Sequence, residues 1–512
     1  MKKLRTLLLL TLTLILTIIP LASCSADFEL KNEALNPDED GFDVNEDAAL
    51  APEAPADDEA LAPETEKAEG DAIPESPFIS TSETPISTFS ADVDTASYSY
   101  FRKLVSQGTT LDNLKRLGAS FRTEEFLNYF KYNATAPAEG ELFGVTADVI
   151  KTPWNSDSVL MRLTLQAEDA IAYEGNNLVF LIDVSGSMNQ ADKLPLLKKS
   201  FGYLVEGLNA NDVISIVTYS GKEEVVLTGC PGNEKERILG AINSLSAYGS
   251  TNGEAGLTKA YQLAEDYRIE NGNNRIIMAS DGDLNVGISS QSELIDYISQ
   301  KKESKIYLSV LGFGTGNYRD SNMEALADNG NGVYYYIDGE GEAEKVLGSD
   351  LFSTLYTVAE DVKLQITFDP NAVSSYRLIG YENRRLTTED FENDRKDAGD
   401  VGAGHQVTVF YELKLTETAR TTEAWLKLAV RHKAPGEPTS KLNEYTIGAA
   451  NFKQTPDDDL LFMLSLLETT MILHKTNAPA STLAAVLETL NSLDLSGHPD
   501  RAEFRALIAR LA

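Results

Sequence analysis

From about residue 175 to 357 the chain alternates short apolar runs with stretches whose apolar positions recur at helical spacing. Leu178-Val179-Phe180-Leu181-Ile182 reads as a buried strand. Leu194, Leu197, Phe201, Leu204, Val205 and Leu208 then mark one face of a helix, with Pro195 accommodated in its first turn. Val213 to Tyr219 is a second strand and Val225 to Leu227 a short third. Helical patterns follow at Lys235 to Leu245 and Gly253 to Tyr267, then strand Arg275 to Ala279, helix Ser292 to Lys301, strand Ile306 to Leu311, helix Asn322 to Ala327, strand Val333 to Ile337 and helix Glu342 to Leu355. Strands alternating with helices predict an α/β fold with a doubly wound, mostly parallel sheet.

On either side of this block the pattern changes. Folded sequence is expected to begin near Ile86, with helices over Tyr98 to Gln107 and Thr123 to Phe130 and strands over Phe143 to Ile150 and Val159 to Leu165. Residues 85–174 thus read as a small α+β extension. Beyond 358, the runs Val362 to Phe368, Tyr376 to Gly380, Gln406 to Leu415 and Ala424 to Val430 are strand-like and separated by polar turns, which predicts a β-sandwich-like region over 358–455. Residues 456–512 read as helical. Leu460 to Leu473 is strongly apolar but shorter than the ~20 residues a spanning helix needs and is interrupted by Glu468, so it is expected to be a core helix.

The N-terminus carries an address. Met1-Lys2-Lys3-Leu4-Arg5 is basic, Thr6 to Pro20 is apolar apart from its threonines, and Leu21-Ala22-Ser23-Cys24 follows, the pattern of a secretory signal over 1–23. The small residues leading into a cysteine resemble the lipobox of bacterial lipoproteins. That resemblance implies that Cys24 is lipidated and becomes the mature N-terminus, leaving the chain membrane-anchored and extracytoplasmic, on the outer membrane or the outer face of the plasma membrane. Residues 24–84 are dominated by Ala, Pro, Asp and Glu, with 18 acids against 2 lysines between Ser25 and Ser76, and read as a disordered acidic tether. The whole chain has 512 residues and a net charge of −35, which excludes the basic face that nucleic acid requires and makes a cation the natural partner. Cys230 is the second of two cysteines, so no intramolecular disulfide is expected once Cys24 carries lipid.

Candidate chemistry gathers at strand ends. The strand 178–182 runs into Asp183-Val184-Ser185-Gly186-Ser187, and the strand 275–279 runs through Ser280 into Asp281-Gly282. In an open doubly wound sheet, ligands bind beyond the carboxyl ends of the strands where the strand order reverses. If these two strands are neighbours there, both carboxylates meet at one crevice, and Thr251, in the glycine-rich segment 248–253, opens the next helix. Two carboxylates and three hydroxyls are all oxygen donors, suited to Mg²⁺, with Ca²⁺ or Mn²⁺ as alternatives, rather than to Zn²⁺. Asp92-Val93-Asp94-Thr95 reads as an N-cap for the helix at 98–107, and the acidic loop from Asp390 to Asp400 as a solvated loop.

Asp-x-Ser-x-Ser, then Thr, then Asp-Gly resembles the metal-ion-dependent adhesion site of von Willebrand factor A domains. By that resemblance Ser185, Ser187 and Thr251 ligate the metal directly, and Asp183 and Asp281 do so directly or through water. The segments Phe89 to Tyr98, Pro153-Trp154-Asn155, Ser280 to Gly287, Leu311 to Tyr318 and Tyr376 to Arg384 are similar to those of bacterial A-domain lipoproteins that carry extensions on both sides of the A domain, here 175–357. The resemblance implies a binding module whose metal captures an acidic side chain of a protein partner. The runners-up are a scaffold in a membrane-associated assembly and a metal-dependent hydrolase. An enzyme is not expected, because His405, His432, His474 and His498 all fall outside the A domain and no general base is evident.

Overall fold

The central sheet is built by six strands: β1 (Asn176–Asp183), β2 (Val213–Tyr219), β3 (Glu223–Pro231), β4 (Asn273–Ser280), β5 (Tyr307–Phe313) and β6 (Tyr334–Ile337). Their spatial order is β6-β5-β4-β1-β2-β3, parallel throughout except for the antiparallel edge strand β3. The computed structural model describes residues 76–169, 173–249, 253–282, 291–302, 304–314, 320–475 and 481–512. Every residue of β1, β4 and β5 is buried, as expected for parallel strands covered on both faces. Leu178, Phe180 and Ile182 point to one side, where Phe180 stacks on Phe201 of helix α1 (Leu194–Gly207) at 4.3 Å. Val179 and Leu181 point to the other, toward helices α2 (Glu254–Asp266), α3 (Gln291–Lys302) and α4 (Asp320–Asn329).

Two expectations change in detail. The short third strand is nine residues long, because pairing with β2 extends it through polar positions and past an irregular register at Gly229. The single helix expected over 342–355 is three pieces, Glu340–Glu344, a π turn at Lys345–Ser349, and Leu351–Leu355. The Asp350 N–H donates to the Lys345 carbonyl at 2.8 Å, five residues back, and Lys345 and Asp350 pair through their side chains, which widens the helix at Gly348.

The ranges flanking the A domain are interleaved. One antiparallel sheet orders the strands 79–80, 373–379, 406–415, 159–167 and 143–151; the other orders 385–386, 86–90, 357–368, 424–433 and 441–448. Strands from before and after the central block therefore share both sheets. The sheets face each other through aromatic contacts: Phe368 stacks on Tyr376 at 4.2 Å, and Phe89 lies 6.5 Å from Tyr411. Folded structure also begins earlier than the expected boundary at 85. Ile79–Ser80 pairs with Ser375 and Tyr376, and the Thr81 hydroxyl donates to the Val373 carbonyl at 2.6 Å. This two-residue strand joins the sheet through backbone bonds with Ile79 half-buried against the core, and it is too short for hydropathy to mark it. The signal segment, Cys24 and the acidic stretch up to residue 75 lie outside the described residues.

The C-terminal helices Asp458–His474, Leu483–Ser492 and Pro499–Leu511 share a core with the N-terminal helices Ala96–Ser106, Leu111–Arg116 and Thr123–Asn128. Tyr98 sits within ring contact of Phe126, Tyr129, Phe130 and Phe504. Helix 458–474 is apolar on nearly all sides and buried, as expected, and among the described residues no helix is long and apolar enough to cross a membrane.

Two arginines fasten these parts to the A domain. Arg102 donates to Asp338 and Glu342, each at 2.6 Å, and to the Tyr129 hydroxyl at 2.6 Å. Arg384 donates to Glu324 at 2.6 Å, Asp328 at 2.7 Å, Asp92 at 3.2 Å and Asp94 at 3.4 Å. Asp92 and Asp94 therefore do not cap the following helix. Its N-cap is Thr95, whose side chain makes no capping bond, and the Ser97 N–H is taken instead by Glu125 at 2.7 Å. Removing one partner from a buried ionic group leaves the others uncompensated, at about 3–5 kcal/mol. Arg384→Ala should lower the unfolding free energy by about that amount in urea titrations. Burial, reinforced by Asp92, already holds Asp94 well above the usual carboxylate range, so its contribution to stability is present at low pH and lost as pH rises. The Arg384→Ala penalty should accordingly be smaller at pH 5 than at pH 8.

Candidate metal centre

β1 and β4 are direct neighbours, with Ile182 opposite Ala279, and the strand order reverses between them. The parallel register brings Asp183 and the Ser280-Asp281 pair to the same carboxyl edge. Past β1 the chain turns sharply: the Ser185 N–H donates to Asp183 Oδ1 at 2.8 Å, and a 3₁₀ turn covers Gly186–Asn189. The turn directs the Ser185 and Ser187 hydroxyls toward each other, 2.9 Å apart. Two backbone bonds, Tyr248 N–H to the Val184 carbonyl at 2.7 Å and Gly186 N–H to the Gly249 carbonyl at 3.1 Å, bring the glycine-rich segment alongside. Thr251, the fifth expected ligand, lies outside the described residues. At the end of β4 the Ser280 hydroxyl donates to Asp183 Oδ2 at 3.3 Å, and Gly282 takes a φ of +90°, which carries the chain away from the edge immediately after Asp281.

Four of the five expected residues, Asp183, Ser185, Ser187 and Asp281, thus stand at one crevice. Asp183, Ser185 and Asp281 are buried and Ser187 is half-buried. Burial pushes the Asp183 carboxyl up to about 6; the charge of Asp281 adds to this, and the hydrogen bond from Ser185 opposes it. The donors are all oxygens, two of them carboxylates in a low-dielectric edge, and they fit a hard divalent cation. Asp183, Ser185, Ser187 and Asp281 would hold it, and the cation would supply an electrophilic centre for an oxygen ligand from outside.

Sequence reasoning missed two participants. In the sequence Ser280 is no more than the residue that leads a strand into Asp281. Lys193, at the N-terminus of α1, sends its Nζ to 2.8 Å from Asp281 Oδ2 with the side chain 3% exposed. In sequence it sits in a polar connection after Asn189-Gln190-Ala191-Asp192, where nothing separates a buried lysine from a solvated one.

Other acidic groupings are accounted for locally. The oxygens of Asp92, Asp94 and Glu324 approach one another within 4.8 Å, but the Arg384 guanidinium pairs with all three and supplies the positive charge. In the loop expected to be solvated, Asp390 completes a capping box with Thr387, and Asp394 accepts from the Ser440 hydroxyl. Cys230 is buried on β3.

Known proteins resemble the chain over most of its length. Residues 177–348 match the family model described as "von Willebrand factor type A domain", residues 64–162 the one described as "von Willebrand factor", and residues 353–512 "Uncharacterized protein YfbK, C-terminal". Protein YfbK of Escherichia coli (strain K12) is 40% identical over 415 residues, covering 76% of this chain and 71% of that protein. Human inter-alpha-trypsin inhibitor heavy chain H3 is 25% identical over 268 residues, covering 48% of this chain and 29% of that protein. A solved structure of a von Willebrand factor type A protein from Catenulispora acidiphila covers 71% of this chain and 83% of its own, at 18% identity and a TM-score of 0.41. The mussel byssus proximal thread matrix protein 1, solved with a zinc-occupied adhesion-site motif, covers 34% of this chain and 44% of its own, at 20% identity and a TM-score of 0.29. On the relationship to YfbK and the three matched segments, the chain belongs to the YfbK family of bacterial proteins built around a von Willebrand factor A domain.

Proposed function

We propose that the chain is a lipid-anchored, extracytoplasmic interaction module that holds a divalent cation at Asp183, Ser185, Ser187, Thr251 and Asp281 and, through it, a carboxylate of a protein partner. The observation that carries this reading is the convergence of Asp183, both serine hydroxyls and Asp281 at the edge where strand order reverses. Mg²⁺ suits the hydroxyl-rich donor set best, with Ca²⁺ and Mn²⁺ as alternatives. Only two of the donors are charged, so the cation keeps affinity for an anionic ligand, and an aspartate or glutamate on a partner is the natural one. Lipidation at Cys24 anchors the chain, and the acidic stretch behind it lifts the A domain from the membrane surface.

The module acts by binding and does no catalysis. The four histidines that could serve as general bases sit on the flanking sheets and the C-terminal helices rather than at the β1–β4 edge: His405 beside strand 406–415, His432 within 424–433, His474 at the end of 458–474 and His498 before 499–511. A metal-dependent turnover abolished by Asp281→Ala would reverse this reading.

Two outcomes test the proposal. Saturation at 100 times the dissociation constant stabilises a folded protein by about 2.7 kcal/mol. Mg²⁺ should therefore raise the melting temperature by several degrees in the wild type and not in Asp183→Ala, and the same variant should lose metal-dependent capture of partners from the native envelope. A melting shift without metal-dependent capture would favour the scaffold reading. The second outcome concerns pH. Without a cation, the raised Asp183 carboxyl gives stability that is present below its ordinary value and lost as pH rises through about 6. Protons and cation compete for this carboxylate, so Mg²⁺ affinity measured by isothermal titration calorimetry should rise roughly tenfold between pH 5 and pH 7.5. A flat affinity would contradict competition between protons and cation for a raised Asp183 carboxyl.

A further inference from the structure

Lys193 is placed with more care than a counter-ion on a surface would need. Its backbone starts α1: the Lys193 N–H donates to the Gln190 carbonyl at 3.1 Å, and its carbonyl accepts from the Leu197 N–H at 2.8 Å. The stem then runs along the bare backbone of Gly314, just past the end of β5. Gly314 has a φ of +79°, and a Cβ there would lie 2.4 Å from Lys193 Cε and 3.0 Å from Cγ. The Tyr336 hydroxyl of β6 donates to the Gly314 carbonyl at 2.6 Å and fixes that wall. α1, β5 and β6 thus form a slot for one aliphatic chain, closed at 3% exposure, with the ammonium delivered to Asp281 Oδ2. A lysine this buried is tolerated only against an opposite charge. The charge it meets is one of the two carboxylates that the proposed metal site depends on.

The geometry points to Lys193 as a built-in charge regulator of the cation site, an inference that rests on the metal-binding reading above. Asp183 and Asp281 bring two negative charges and Lys193 brings one positive charge to the same edge. Among the described residues, a divalent cation entering there meets a net single negative charge and repulsion from an ammonium in a poorly screened environment. Lys193 also keeps one oxygen of Asp281 engaged, so less anionic charge is available to the cation. The consequence has two sides. The ammonium weakens cation binding, and it leaves the bound cation short of negative charge and therefore more receptive to a partner's carboxylate. Lys193 is a positioning residue for the site, setting how tightly the cation is held without ligating it.

The test is isothermal titration of the full chain with MgCl₂ and MnCl₂ at pH 7.5, comparing wild type with Lys193→Met, Lys193→Arg and Asp183→Ala. Lys193→Met, which keeps most of the stem and removes the charge, should bind both cations at least tenfold more tightly. Lys193→Arg, which keeps the positive charge but not the ammonium's geometry, should bind neither cation more tightly than wild type. A lysine with a merely structural role would give the opposite direction, because losing it would loosen the edge and weaken binding. If Lys193→Met is unfolded without cation, saturating Mg²⁺ should restore its folding, since the proposal has cation and ammonium competing for one carboxylate. Affinity unchanged or weakened in Lys193→Met, or a variant that saturating Mg²⁺ cannot fold, overturns the inference. If wild type and Asp183→Ala both bind no cation, the metal-binding reading itself has failed, which is a distinct outcome.

Discussion

The parallel pairing of β1 with β4 is the contact on which the site depends. It places two carboxylates, Asp183 and Asp281, at one edge of a sheet whose central strands are buried on both faces. Carboxylates there cannot be left bare, because removing a charge from water without a partner costs far more than any single fold contact returns. The surrounding structure answers that constraint group by group. The Ser185 N–H and the Ser280 hydroxyl take the two oxygens of Asp183, Lys193 takes Oδ2 of Asp281, and burial still holds Asp183 up at about 6. Two carboxylates facing one ammonium leave the described edge short of positive charge, which is the physical basis for reading it as a cation site.

Buried charge is also how the rest of the chain is joined to the A domain. Arg384 gathers carboxylates from the N-terminal extension and from α4, and Arg102 reaches from an N-terminal helix to Asp338 and Glu342 just past β6. Both arginines pair with several carboxylates. The difference at Lys193 is the kind of cation: a guanidinium holds several carboxylates at once in a fixed fork, whereas an ammonium is a point charge on a flexible stem. The arginine nodes suit permanent fastening, and the lysine suits a place where a second cation is to be admitted. The flanking strands reinforce the frame, since the sandwich interleaves segments from both sides of the A domain.

Much of this was legible in the sequence. The buried runs at 178–182 and 275–279 announce strands of a doubly wound sheet, and Asp183, Ser185, Ser187 and Asp281 follow them to one edge. Other features depend on partners distant in sequence. The strand at 79–80 exists because residues 375 and 376 offer it backbone bonds. Asp92 and Asp94 read as caps because their true partner, Arg384, is nearly three hundred residues away. The break in the helix at 345–349 comes from one local bond between Asp350 and Lys345, below the resolution of hydrophobic periodicity. Lys193 carries no signal in the sequence, because a lysine ahead of a helix is ordinarily solvated and only the bare backbone of Gly314 makes room to bury it.

The central claim is that the oxygen donors at the β1–β4 edge hold a divalent cation. Anomalous diffraction from crystals grown with MnCl₂ tests it most directly, because the scattering peak locates the ion without reference to activity or stability. The account predicts a peak enclosed by Asp183, Ser185, Ser187 and Asp281. A peak beside Asp92, Asp94 and Glu324 instead, or none at the β1–β4 edge at saturating Mn²⁺, would contradict it.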